Sequence, residues 1–188
     1  MKTNRQLSIV AADAGVADRE SPVRVVGLDL SLRGTGIVVL GRDGAVELSD
    51  VIGEELSSKS SDRDRVERLV RILDRVTGVV RDEVSAHGRH GVAVGIERYA
   101  YSRRGAQNDL AELQGNVKVQ LWLLSRIVPE VIVASAARKA VLGHGAMPKK
   151  DIVPELRRRG LEFTDHNVAD AYVIAECLRR RRIVEADR

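Results

Sequence analysis

The chain has 188 residues, 44% of them hydrophobic but only 3% aromatic, so a single domain is expected, its core packed by Val, Leu, Ile and Ala. Lys and Arg number 31 against 27 Asp and Glu, a formal charge of +4, which admits a polyanionic partner without demanding one. One cysteine (Cys177), no apolar run of membrane-spanning length and no signal-peptide block argue against disulfide-bonded, membrane and secreted classes, so a cytoplasmic, nucleoid-associated protein is expected.

Residues 1–21 lack clean periodicity and end at Ser21-Pro22. They are expected to form a mobile extension ahead of a domain over 22–182, with 183–188 as a C-terminal tail. Val23 to Leu30, Gly36 to Leu40 and Val46 to Ile52 read as strands, the last two joined by the hairpin signal Gly41-Arg42-Asp43-Gly44. A long helix is predicted from about Asp62, with Val66, Leu69, Val70, Leu73, Val76 and Val80 on one stripe, stopped by Gly88 and Gly91. Val92 to Ile96 is apolar throughout, as a strand covered on both faces should be. After a polar loop from Tyr99 to Asn108, a second helix ending near Ile127 carries Leu110, Leu113, Val117, Leu121 and Leu124 on a stripe, with Trp122 close by. Val131 to Val133 gives a fifth strand. Helices are then expected over Ser135–Leu142, about Lys149–Arg159 and about His166–Arg182. Hairpins first and parallel crossovers afterwards make an α/β architecture: a mixed five-stranded sheet, three antiparallel strands then parallel ones, with helices on both faces. This order resembles the RNase H-like fold.

Three acids stand out by position. Asp29 lies in the apolar first strand, Glu97 directly follows Val92 to Ile96, and Asp170 sits between Ala169 and Ala171 near the start of the last helix. A carboxylate in a buried strand is costly unless its charge is compensated. Three from separate elements could compensate by sharing divalent cations, and oxygen ligands suit Mg²⁺ or Mn²⁺. Two ions held in this way can activate a water and stabilise the leaving 3′-oxygen of a phosphodiester. The loop after Glu97, Arg98-Tyr99-Ala100-Tyr101-Ser102-Arg103-Arg104, interleaves aromatics with cations. That pattern suits stacking on unpaired bases and contact with phosphates.

The segment Val26-Gly27-Leu28-Asp29-Leu30-Ser31 with Gly34-Thr35-Gly36 resembles the first motif of the RuvC family of Holliday junction resolvases. Gly95-Ile96-Glu97 resembles the second motif and Asn167-Val168-Ala169-Asp170-Ala171 the terminal one. Between them, Arg138-Lys139-Ala140-Val141-Leu142-Gly143-His144-Gly145 followed by Lys149 is similar to the family's basic stretch. The resemblance spans roughly Arg24 to Arg180. It implies that Asp29, Glu97 and Asp170 are the catalytic, metal-binding carboxylates, holding two Mg²⁺, with Mn²⁺ as a substitute. It also implies Lys149 near the scissile phosphate, Arg138 and Lys150 on the DNA-facing surface, and Tyr99, Tyr101, Arg103 and Arg104 in a loop entering the junction. Asn167 departs from the pattern, since many members carry a fourth acid there; His166, Asn167 or Asp165 is left to complete the site. The family further implies a homodimer on branched DNA, and the second helix, through Leu113, Val117, Leu121 and Leu124, is the expected two-fold contact. Cleavage of RNA–DNA hybrids and a non-catalytic junction-binding module on the same fold are the competing readings.

Overall fold

The computed structural model describes residues 22, 24–53, 55–57, 59–98 and 107–186. The expected N-terminal extension, residues 1–21, and the loop residues Tyr99, Tyr101, Arg103 and Arg104 lie outside them. Five strands form one sheet: β1 (Arg24–Asp29), β2 (Thr35–Gly41), β3 (Val46–Ile52), β4 (Val92–Glu97) and β5 (Glu130–Ile132), in the order β3-β2-β1-β4-β5. β1, β2 and β3 pair antiparallel, while β4 runs parallel to β1 and β5 parallel to β4. The mixed sheet expected from the chain order is therefore present. The helices are α1 (Asp62–His87), α2 (Gln107–Ser125), α3 (Ala134–Leu142), α4 (Lys149–Arg158) and α5 (His166–Ala186).

Alternation along the central strands divides the interior in two. Val26, Leu28, Val94 and Ile96 join α1 and α2 in one core, whereas Val25 and Val38 join α3, α4 and α5 in the other. Where α5 crosses the strands most closely, they present glycine. A Cβ on Gly27 would lie 2.2 Å from the Ala171 carbonyl oxygen, and one on Gly36 would lie 2.1 Å from that of Asn167. The first turns of α5 thus rest on the backbone of β1 and β2, closer than any side chain would permit. That contact brings the start of α5 to the C-terminal ends of β1 and β4.

Three expectations need correction. In α1 the face on the sheet runs through Ile72, Val76, Val79 and Val80, while Val66 and Val70 are exposed on its flank. Both registers satisfy the three- and four-residue spacing, so spacing alone did not orient the helix. In α2, Leu113, Val117 and Leu121 are wholly buried in the chain's own core, and Leu124 is exposed. Three of the four expected dimer residues are therefore consumed within the fold. Finally, α5 continues to Ala186, so residues 183–186 are helical rather than tail. Its last turns are anchored by carboxylates: Arg181 Nη1 lies 2.6 Å from Glu130 at the β5 edge, and Arg182 pairs with Glu130 and Glu185.

Candidate active site

Asp29 and Glu97 end two adjacent parallel strands, with Leu28 opposite Ile96 in the register. Both fall on the face covered by α5, by the same alternation that sends Leu28 and Ile96 to the other core. Asp170 comes down from the second turn of α5. Carboxylate oxygens of the three residues all lie within 4.8 Å of one another. Asp29 and Asp170 are buried, and Glu97 is partly so. They sit beside a cleft of about 360 Å³ whose walls include Asp29, Glu97, Gln114, Lys149, His166 and Asn167.

Two cations face this group. Lys149 Nζ, on the first turn of α4, is 2.9 Å from Asp170 Oδ2 and 3.6 Å from Asp29 Oδ2. Arg138, from α3, donates through Nη2 to Asp170 Oδ1 at 3.1 Å and through Nη1 to the Met147 carbonyl at 3.3 Å. Compensation is incomplete. Burial, then the Glu97 charge and further the Asp170 charge push the Asp29 carboxyl up to about 7, with Lys149 pulling the other way. Burial and then Asp170 raise Glu97 as well. Burial works against a proton on Lys149, but Asp29, Asp170 and Glu97 outweigh it and its pKa is raised. Three carboxylates meeting within 4.8 Å make an all-oxygen donor set that suits a hard divalent cation.

The other expected site residues separate by position. Lys149 is in contact with the acids Asp29 and Asp170. His166 and Asn167 line the same cleft, but the acid group comprises Asp29, Glu97 and Asp170 and does not include His166. Asp165 is the N-cap of α5: its Oδ1 accepts from the Asn167 amide at 2.7 Å and the Val168 amide at 3.3 Å. Lys150 is exposed at the start of α4. Arg138 does not face outward as expected; its side chain is 14% exposed and bound to Asp170. The arginine-rich ends are largely engaged too. Arg179 and Arg180 each place Nε 2.7 Å from buried Glu176; burial raises that carboxyl, yet these bonds win and the net direction is down. Arg159 donates to the Val141 and Leu142 carbonyls at the end of α3.

Gln114 was not anticipated. It is buried on α2, and its Nε2 donates to the Glu97 carbonyl at 2.8 Å, tying the end of β4 to that helix. The signal was present: Gln114 is a polar residue on the stripe of Leu110, Leu113, Val117 and Leu121. Ser31 and Thr35 were missed as well. Thr35 Oγ1 donates to the Ser31 carbonyl at 2.7 Å and accepts from its amide at 3.0 Å, closing the β1–β2 turn beside Asp29.

The sequence matches no known family profile and no curated protein. Among solved structures it is similar to Thermus thermophilus RuvC, with a TM-score of 0.65 and 21% identity over 86% of this chain and 96% of that one. It is likewise similar to T. thermophilus RuvC in complex with Holliday junction substrate, at a TM-score of 0.65 and 18% identity with the same coverage. At these identities the likeness establishes the fold: the chain has a RuvC-like, RNase H-like α/β architecture.

Proposed function

We propose that this chain is a divalent-metal-dependent endonuclease that makes paired nicks in branched DNA, four-way junctions in particular. The observation that carries the reading is the meeting of Asp29, Glu97 and Asp170 with Lys149 beside one cleft. The fold adds support, since it is shared with a protein whose structure includes a Holliday junction substrate.

The donors suit Mg²⁺, with Mn²⁺ as a substitute, and three carboxylates can share two ions. Held there, divalent ions would supply Lewis acidity to the phosphodiester, acidify an attacking water and stabilise the leaving 3′-oxygen, giving 5′-phosphate ends. The protein's own part is positioning. The strand ends fix Asp29 and Glu97, and the packing of α5 on Gly27 and Gly36 fixes Asp170. Lys149, half-exposed, can turn from the acids to a phosphate oxygen. His166 at the cleft wall serves as a proton carrier, and Asn167 offers a neutral oxygen. Lys150 contacts a neighbouring phosphate. Tyr99 and Tyr101 stack on bases opened at the junction, with Arg103 and Arg104 on its backbone.

Paired nicks call for two sites, hence a homodimer. The surface suited to the two-fold contact is the outer face of α2, where Trp122 is 47% and Leu123 56% exposed, with Val119 and Leu124 beside them. The test is cleavage of labelled four-way junction, flap, linear duplex and RNA–DNA hybrid, each with Mg²⁺ and with EDTA. Junction cutting that needs Mg²⁺ and disappears in D29N, with junction binding retained, is expected. Cutting that survives EDTA or D29N would overturn the assignment, and preference for the hybrid would move it to RNase H-type cleavage.

A further inference from the structure

Asp170 is gripped by two cations of unlike character. Arg138 holds Oδ1 at 3.1 Å and, with its other terminal nitrogen, holds the Met147 carbonyl at 3.3 Å. Met147 lies two residues ahead of Lys149, whose Nζ is 2.9 Å from the opposite oxygen, Oδ2. The Arg138 side chain is 14% exposed and the Lys149 side chain 52%. A largely enclosed, planar guanidinium with two acceptors is a rigid fitting, whereas an ammonium on an exposed four-carbon stem exchanges readily. The turn that Arg138 holds is also tightly seated: a Cβ on Gly145 would lie 2.7 Å from the Ser135 carbonyl oxygen at the start of α3.

We propose that Arg138 is a positioning residue rather than a DNA contact: it keeps Asp170 Oδ1 for the protein, fixes the turn that delivers Lys149, and leaves only Oδ2 for exchange between the Lys149 ammonium and a divalent ion. The inference rests on the metal-site reading above and deepens it. It carries an opposite-signed pair of effects. The fixed positive charge of Arg138 weakens ion binding by repulsion, while the orientation it imposes speeds the reaction.

The experiment is calorimetric titration of Mn²⁺ into the metal-free full chain, for wild type, R138M and R138K. Junction affinity in EDTA across a salt series, Mg²⁺-dependent cleavage and a thermal melt are measured on each. R138M should bind Mn²⁺ several-fold more tightly, because one cation is gone and Asp170 is free to offer both oxygens. It should cleave more slowly and bind the junction with unchanged affinity and salt slope. R138K keeps the charge but loses the fork, so its Mn²⁺ affinity should stay near wild type while cleavage still slows; it also serves if R138M does not fold. Weaker junction binding with a shallower salt slope and unchanged Mn²⁺ affinity would overturn the proposal in favour of a phosphate contact. Mn²⁺ affinity lost in a folded R138M would equally overturn it, leaving Arg138 a merely structural brace. No Mn²⁺ binding by wild type would instead remove the metal-site reading itself, and this inference with it.

Discussion

Asp29 shows how a functional residue is held against its own preference. Its carboxyl is raised to about 7 from an ordinary value of 3.8, chiefly by burial and then by Glu97. Between those values the folded state binds more protons than the unfolded state, so metal-free stability should fall as pH rises from about 4 to about 7. Each pKa unit corresponds to about 1.4 kcal/mol, so D29N should be the more stable protein at pH 8 in EDTA, by on the order of 4 kcal/mol. Below pH 4 the two should converge. Melting curves of both across pH test this, and parallel curves would mean that the carboxylate is not destabilised in the fold. Asp165 makes the contrasting case. It looked like a possible ligand because of its neighbours in sequence, but its oxygen caps α5. D165A should cost about 1 kcal/mol of stability and leave Mn²⁺ affinity unchanged. A lost or weakened Mn²⁺ site in a well-folded D165A would return it to the ligand set.

The elements were legible where a pattern had one reading. The three opening strands, the apolar β4 and the start of α1 near Asp62 all follow from local chemistry. Orientation was not legible, because the stripes of α1 and α2 have more than one apolar face. On α2, Leu113, Val117 and Leu121 turn inward while Val119, Trp122 and Leu123 turn out, and only packing distinguishes them. A charged pair at Trp122 and Leu123 should therefore convert the proposed dimer, about twice 20.6 kDa, to monomer, with little loss of stability. Sedimentation checks this, and a variant that stays dimeric would move the contact elsewhere. The acids were readable because a carboxylate amid apolar residues is conspicuous. The resemblance implies Arg138 only as a residue of the DNA-facing surface; its bond to Asp170, 32 residues away, is invisible to local pattern. The glycines of β1 and β2 carry a further expectation. G27A would drive a methyl into the backbone of α5, at a cost of at least about 1–3 kcal/mol. Its cleavage loss should exceed what the unfolded fraction explains, since Asp170 rides on that helix.

Among the described residues, charge is less available to a polyanion than the composition suggests. Of the cations at the end of α5, Arg179 and Arg180 serve Glu176, and Arg181 and Arg182 serve Glu130. Neutralising Arg181 should therefore lower the melting temperature and leave the salt dependence of junction binding unchanged. K150A should do the reverse, flattening the salt slope by about one phosphate contact. Equal slopes for K150A and wild type would remove Lys150 from the interface. The three acids stand at positions 29, 97 and 170, and the helix bearing the last of them fills the core shared with α3 and α4. Synthesis proceeds from the N-terminus, so a chain stopped before α5 would lack the third acid and the helix that packs against β1 and β2. Such a fragment would leave the sheet face that α5 covers exposed and the acid cluster incomplete. The acid cluster is thereby assembled only when α5 docks on β1 and β2, so folding of that helix and formation of the site are one event.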